Sequence, residues 1–202
     1  MLHPATSRGE IDGQNGEMDT DAVQLFAALL TVVTWIGTVV VVAARALRGR
    51  VALARSVHEA VSETSLWLAW IVPTGAMVGS LYMSEVANYV PCTLCWYQRI
   101  PMYSLAVILL VAAIRRDLSV RWYALPLAVI GFVISVYHYF VEWFPQIETN
   151  VCSLTLPCSN VWFREFGFIS LPLMAASAFT FVVAVLITTS TIDSHPTTGD
   201  PS

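Results

Sequence analysis

Five long apolar segments constrain this chain more than any other feature of its sequence. A bilayer core about 30 Å thick is crossed by about 20 apolar residues in a helix, and each of the five segments is close to that length. They are Ala22 to Ala44, Leu66 to Met83, Cys95 to Ile114, Trp122 to Phe140 and Phe168 to Thr188. Because lipid offers no partner to an open sheet edge, helices satisfy such segments most economically. The sequence therefore predicts an all-α membrane protein with five spans.

The composition excludes most other classes of protein. Apolar residues make up 56% of the 202 residues and charged residues 12%, against about 45–50% and about 25% in soluble domains. This leaves too little polar surface for a soluble enzyme. The four cysteines are too few for a disulfide-stapled miniprotein. The net charge of −4 gives no reason to expect a nucleic-acid partner. We expect a multi-pass protein in contact with membrane lipid.

The distribution of arginine predicts the orientation of the spans. All ten basic residues are arginine, and seven of them lie in two short loops that we call the arginine loops. These seven are Arg45, Arg48, Arg50 and Arg55 in the first loop and Arg115, Arg116 and Arg121 in the second. By the positive-inside rule both loops face the cytoplasm. The N-terminus is then outside and the C-terminus inside.

The chain divides into five predicted regions. Residues 1–20 lack the basic and apolar parts of a signal peptide, and we expect them to form a disordered polar outer tail. A transmembrane helix over 21–44 follows. Residues 45–65 form a basic cytoplasmic connector, either a surface helix or a solvated loop. Residues 66–190 hold four spans and all the cysteines, and 191–202 are expected to be a disordered cytoplasmic tail.

The four cysteines form two close pairs on the predicted outer side. Cys92 and Cys95, which we call the helix pair, form C-T-L-C at the start of span three. Cys152 and Cys158, the loop pair, form C-S-L-T-L-P-C before span five. Pro91 disfavours helix in the residue before it and favours a helix start just after it. A thiolate on the first turn of a helix meets the positive end of the dipole, which lowers its pKa and makes it reactive.

Two polar residues follow the helix pair into the membrane. Gln98 and Arg99 come three and four residues after Cys95, one helical turn below its thiol. An arginine at this depth is costly unless it has a partner or a role, the plainer alternative being that it extends to lipid phosphate. Here Arg99 would stabilise a Cys95 thiolate and donate hydrogen bonds to the carbonyl oxygen of a bound acceptor.

Two simpler interpretations of the cysteines remain open. Each pair by itself would serve as a structural disulfide, and four thiolates together would bind zinc. An oxidising compartment disfavours zinc, and no histidine flanks either pair. The combination of two close pairs on one side, one of them beside a helix start and an intramembrane arginine, favours electron transfer between dithiols.

Three sequence runs carry a family resemblance. They are P-C-T-L-C-W-Y-Q-R-I-P-M-Y, Y-H-Y-F-V-E and C-S-L-T-L-P-C-S-N-V-W-F-R-E-F-G-F-I-S-L-P. Together they resemble the DsbB family of disulfide-bond formation proteins, and most of all its BdbC-type branch. The resemblance covers about Leu66 to Thr188 and implies a four-helix transmembrane bundle that binds a quinone beside the C-x-x-C. Residues 66–190 would be the DsbB-like redox core, and the first span is an addition to it.

The resemblance also implies a role for each cysteine. The helix pair would be the quinone-proximal redox pair, with Cys95 as the thiolate that attacks the quinone and Arg99 near the quinone carbonyl. The loop pair would exchange with an extracytoplasmic thioredoxin-fold oxidase of the DsbA or BdbD kind. Cys152 would be the site of the mixed disulfide, with Cys158 as its partner. Gln98 is a weaker candidate for binding the quinone.

The expected function is therefore that of a quinone-dependent thiol oxidase. It would sustain disulfide-bond formation in exported proteins at the bacterial cytoplasmic membrane, with ubiquinone or menaquinone as cofactor and without a metal. His138 either aids proton transfer to the reduced quinone or packs as an interfacial histidine. Two alternatives remain open: a reductase, either reversed or of the vitamin-K-epoxide type, and a non-catalytic scaffold with two structural disulfides.

Overall fold

Five helices make up most of the protein in the computed structural model, which describes residues 8–149, 151–152 and 156–189. The helices are α1 (Arg8–Leu47), α2 (Ala52–Glu85), α3 (Thr93–Arg115), α4 (Arg121–Trp143) and α5 (Leu171–Thr189). Each contains a stretch long and apolar enough to cross a membrane. The five predicted spans are confirmed.

Helices α2 to α5 form a four-helix bundle, and α1 packs on its outside. Around the bundle α2 contacts α3, α3 contacts α4, α4 contacts α5, and α5 returns to α2. Fully buried side chains such as Leu105, Leu109 and Phe179 fill the interior. Large apolar side chains such as Ile100 and Ile130 remain exposed on the outer faces, as expected where lipid is the solvent. The predicted architecture of four helices plus one is confirmed.

The added helix is held to the bundle by specific contacts. A side chain at Gly37 would place its Cβ 3.1 Å from the ring of Phe181 on α5, so the two helices approach closely there. The indole nitrogen of Trp35 donates a hydrogen bond to Ser177 Oγ at 2.6 Å. The structure therefore shows the extra span packed against the bundle of its own chain.

The prediction of a disordered outer tail over residues 1–20 is wrong where the structure describes it. Helix α1 begins at Arg8, twelve residues before the apolar part starts at Thr20. Once a helix has nucleated, each further residue adds a hydrogen bond without a new nucleation cost, so a polar segment can extend it. Residues 1–7 lie outside the described residues, as does the predicted tail over 191–202.

The connector between the first two spans is also shorter than predicted. Helix α2 begins at Ala52, so most of residues 45–65 is neither a separate surface helix nor a solvated loop. No glycine or proline interrupts the chain between Ala52 and Pro73, and the helix of the second span therefore continues backward. The connection is reduced to residues 48–51.

The up-and-down order of the helices gives the bundle two distinct ends. Both cysteine pairs lie at one end, where α2 ends and α3 begins; we call it the cysteine end. The connections that carry the arginine loops lie at the opposite end, between α1 and α2 and between α3 and α4. The prediction that both pairs share one end is confirmed.

Candidate redox site

The start of α3 places the helix pair at the cysteine end. Cys92 is the N-cap residue of α3, with extended backbone, and its Sγ accepts the backbone N–H of Cys95 at 3.3 Å. The helix thus begins just after Pro91, as the sequence predicts. Both cysteines are free thiols, with 2.9 Å between their sulfur atoms. Cys92 is buried and Cys95 is half-buried.

The surroundings of Cys92 stabilise its thiolate. A hydrogen bond from the Cys95 thiol is the largest of the effects that lower the pKa of Cys92 to about 4. His138 and the backbone N–H of Cys95 act in the same direction, whereas burial opposes them. In the dithiol form the negative charge is therefore best stabilised on Cys92, the residue at the helix cap.

His138 lies between the two cysteine pairs. Its side chain is 2% exposed, and its Nε2 lies 3.6 Å from Cys92 Sγ and 3.1 Å from the carbonyl oxygen of Cys158. Its Nδ1 lies 3.4 Å from Oε1 of Gln98 on α3. The histidine is therefore packed, and it also touches both pairs.

Gln98 and Arg99 point to different sides of α3. Gln98 is buried toward His138, and its Nε2 has no partner among the described residues. The guanidinium of Arg99 instead turns to α2, where Nε donates to Ser80 Oγ at 2.9 Å and Nη2 donates to the Ser80 carbonyl at 3.0 Å. It also lies 5.1 Å from the ring centre of Trp96. Ser80, which sequence reasoning missed, therefore orients Arg99.

The loop pair is a disulfide packed against the helix pair. Cys152 and Cys158 are bonded to each other, with 5.8 Å between their Cα atoms. Cys158 is completely buried and Cys152 is half-buried. Cys92 and Cys158 belong to one buried cluster, and Cys152 and Cys95 pack against it. The fold thus brings all four predicted cysteines together.

Two carboxylates at this end were also missed by sequence reasoning. Glu148 accepts the backbone N–H of Cys158 at 2.6 Å and the hydroxyl of Ser159 at 2.9 Å. Glu142 accepts a hydrogen bond from Ser170 and lines the same cavity as the helix pair and His138. One signal was available, since Glu142 follows His138 by four residues and Glu148 precedes Cys152 by four.

The loop after the disulfide covers this cavity. Pro157, Trp162 and Phe163 form part of its lining. The ring of Trp162 stacks on Tyr89 with 4.7 Å between ring centres, and the hydroxyl of Tyr89 accepts a hydrogen bond of 2.7 Å from Gln24 on α1. The added helix therefore supports the cover of the site.

Comparison with known proteins agrees with this geometry. The family profile "Disulfide bond formation protein DsbB" matches residues 62–189. The chain is 43% identical over 119 residues to "Disulfide bond formation protein C" of Bacillus subtilis (strain 168). These residues make up 58% of this chain and 86% of that protein. It is 45% identical over 130 residues to a "Probable disulfide formation protein" of Oceanobacillus iheyensis, covering 62% and 90% of the two chains.

A similar relative occurs in Coxiella burnetii (strain RSA 493 / Nine Mile phase I). Its "Probable disulfide formation protein" is 45% identical over 116 residues, which are 56% of this chain and 79% of that one. No solved structure matches the chain. Because the family profile spans more than half of the chain and includes every cysteine, the protein belongs to the DsbB family of disulfide bond formation proteins.

Proposed function

We propose that this protein is a membrane thiol oxidase that reoxidises a thioredoxin-fold partner and passes the electrons to a quinone. The observation that carries the proposal is one buried cluster in which a disulfide, Cys152–Cys158, packs against two free thiols, Cys92 and Cys95. Membership of the family supports thiol oxidoreductase chemistry and disulfide-bond formation.

The exposure of the sulfur atoms suggests the order of exchange. A partner thiolate attacks the half-buried Cys152, and Cys158 leaves. The buried Cys158 then attacks Cys92, and Cys95 leaves as a thiolate one turn above the positive charge of Arg99. When the second partner thiol has released Cys152, Cys152 attacks Cys158 and restores the loop disulfide. The helix pair is then reduced and the loop pair is again a disulfide.

The residues beside Cys95 fit a quinone. A quinone ring requires donors for its carbonyl oxygens and a flat apolar surface. Among the described contacts, Arg99 uses two of its five N–H groups on Ser80, and the Trp96 ring beside it is 54% exposed. The buried Nε2 of Gln98 is a further donor without a described partner. Arg99 and Trp96 would hold the ring, and the quinone would accept two electrons and two protons. His138, in contact with Cys92, would hold a proton.

The partner and the location belong to the same proposal. The arginine loops would face the cytoplasm and the cysteine end would face outward from a bacterial cytoplasmic membrane. Phe144, Ile147 and Val151 are exposed in the segment that leads to Cys152, and they offer apolar surface to a thioredoxin-fold oxidase.

A turnover assay tests this function directly. Purified protein, a reduced thioredoxin-fold oxidase and either ubiquinone or menaquinone are mixed, and quinone reduction is followed by absorbance. We expect sustained turnover that is abolished by Cys95→Ser and by each of the other cysteine-to-serine changes. Gly75→Ala on α2, where an added Cβ meets nothing within 4 Å, serves as the control. Unchanged turnover in Cys95→Ser would contradict the mechanism.

A substitution of Arg99 tests the quinone site. Arg99→Gln removes the charge beside Cys95 and the fork that binds Ser80. We expect the KM for quinone to rise about tenfold or more, since charge-assisted hydrogen bonds contribute about 1.5–3 kcal/mol. The rate of mixed-disulfide formation at Cys152 should stay the same. An unchanged KM would place the quinone elsewhere.

A further inference from the structure

The carboxylate of Glu148 lies against the loop disulfide and has no part in the relay described so far. Oε1 accepts the backbone N–H of Cys158 at 2.6 Å, and Oε2 accepts the hydroxyl of Ser159 at 2.9 Å. A carboxylate oxygen and the two sulfur atoms of the pair lie within 4.8 Å of one another. One bridging water spans such a distance.

In this buried position Cys158 must become a thiolate before it can attack a disulfide. Only a thiolate attacks a disulfide, yet Cys158 is 0% exposed, and burial disfavours the charged form of a thiol. Cys158 leaves Cys152 as a thiolate, and since burial disfavours this charge, it takes a proton from a neighbouring protein group between the two exchanges. A protein group must accept this proton when Cys158 attacks Cys92.

Apart from the helix pair, three titratable side chains lie in this region among the described residues: His138, Glu142 and Glu148. Glu142 accepts a hydrogen bond from Ser170, and no described contact joins it to Cys158. His138 Nε2 lies 3.1 Å from the carbonyl oxygen of Cys158, which only accepts, so this nitrogen carries the hydrogen. The Glu148 carboxylate only accepts, and its two described hydrogen bonds leave about half of its lone-pair sites available. Glu148 is also half-buried, so a proton taken from Cys158 can pass from it to water.

We propose that Glu148 is the general base for the attack of Cys158 on the helix pair, an inference that rests on the relay proposed above. The Glu148 carboxylate takes the proton of the Cys158 thiol, and the sulfur electron pair forms the Cys158–Cys92 bond. The Cys92–Cys95 bond breaks, and Cys95 keeps its electron pair as a thiolate. The neutral carboxyl of Glu148 then returns the proton to water. Cys158 is oxidised and Cys95 is reduced, and no further reactant is required.

The variant Glu148→Gln distinguishes a general base from a residue that only holds the backbone at Cys158 in place through a hydrogen bond. The amide oxygen can still accept the N–H of Cys158, but the amide takes up no proton. General bases contribute about 10²–10⁴-fold to rate. We expect electron transfer from the loop pair to the helix pair to slow about 100-fold at pH 7. In the variant the rate should rise more steeply with pH than in the unmodified chain, because only solvent base can then take the proton of Cys158.

The experiment uses the full chain in detergent, with both pairs oxidised and without quinone. Dithiothreitol is added at each pH in the amount that gives the same concentration of its thiolate, and samples are quenched with acid at intervals. The thiols of the helix pair are counted by maleimide labelling and mass spectrometry from pH 6 to pH 9. A Cys152→Ser/Cys158→Ser chain gives the direct reduction of the helix pair, which is subtracted. Glu165→Gln, which removes another carboxylate from the same loop region, is the matched control and should change the rate less than threefold.

Each outcome decides the proposal. Slower transfer with the steeper pH dependence supports it. A Glu148→Gln rate equal to or faster than that of the unmodified chain overturns it, and so does an equal slowing at every pH, which would indicate loop displacement alone. If the unmodified chain reduces its helix pair no faster than the chain without the loop pair, the relay itself fails and the base with it. Because no quinone is present, a wrong assignment of the quinone produces none of these results.

Discussion

A few polar contacts around four sulfur atoms define the chemistry of this protein at the scale of single residues. Cys92 combines a helix N-cap position, the neighbouring Cys95 thiol and contact with His138. Sequence spacing alone predicted a reactive pair at a helix start. It predicted a thiolate on Cys95 beside Arg99 and did not indicate that the Cys95 N–H and His138 stabilise a thiolate on Cys92.

The first prediction concerns the pH dependence of Cys92. Because its pKa is depressed to about 4, the thiolate is present above that pH, and reactivity is lost as the pH falls through it. Cys95→Ala removes the largest cause of the shift and should move the midpoint of reactivity to higher pH. Cys95→Ser retains a hydroxyl donor and should move it less. Alkylation rates between pH 3 and pH 9, measured in a Cys152→Ser/Cys158→Ser chain, check this. Equal midpoints for the two variants would contradict it.

At the scale of helices, the packing of α4 on α5 depends on one small residue. A Cβ built on Gly131 of α4 would clash with the ring of Phe179, which is completely buried on α5. The ring therefore occupies the space that a side chain at position 131 would need. Such close approach between membrane helices is typical of interfaces that contain small residues.

The second prediction tests this interface. Gly131→Ala should destabilise the protein by about 1–3 kcal/mol, because overpacking a rigid interior forces the ring of Phe179 or a helix to move. Gly75→Ala on α2 is the matched control and should have no destabilising effect, since an added Cβ there meets nothing within 4 Å. Unfolding midpoints in detergent measure both variants. Adding Phe179→Leu to Gly131→Ala should restore part of the loss. Equal midpoints for the two glycine variants would rule out the tight contact.

At the scale of the whole molecule, the up-and-down order of the helices separates the arginine side chains from the redox site. The cysteine end and the arginine loops lie at opposite ends of the bundle. Helix α1 adds a span without altering this separation, because it packs against α2 and α5 from the outside. Its contact from Gln24 to Tyr89 links the added span to the cover of the redox site.

The third prediction concerns the orientation of the bundle in the membrane. In a chain with all four cysteines replaced by serine, single cysteines are introduced by Glu85→Cys at the cysteine end and Ser119→Cys at the opposite end. Both positions are exposed. The positive-inside rule leads us to expect that a membrane-impermeant maleimide labels Glu85→Cys in intact cells and Ser119→Cys only after permeabilisation. The reverse pattern would refute the proposed orientation and place the redox site in the cytoplasm.

The sequence by itself determined the five spans and the grouping of the cysteines at one end. The length of an apolar segment is a local property of the sequence, and comparison with the bilayer thickness identifies each span. In a chain whose spans alternate in direction, every second loop lies at the same end of the bundle. It did not determine the first residues of α1 and α2, because the mixed polar and apolar sequence that begins at Arg8 and at Ala52 is compatible with a helix and with a loop alike.

Only the tertiary structure decided which side chains meet the sulfur atoms. Gln98 and Arg99 are adjacent in sequence, yet about 100° of helix rotation sends one to His138 and the other to Ser80. Glu148 contacts Cys158, which lies ten positions further along the sequence, a separation that carries no periodic signal. The rotation of each helix and the path of each loop are set by packing against the rest of the chain, so these contacts exist only once the fold has formed.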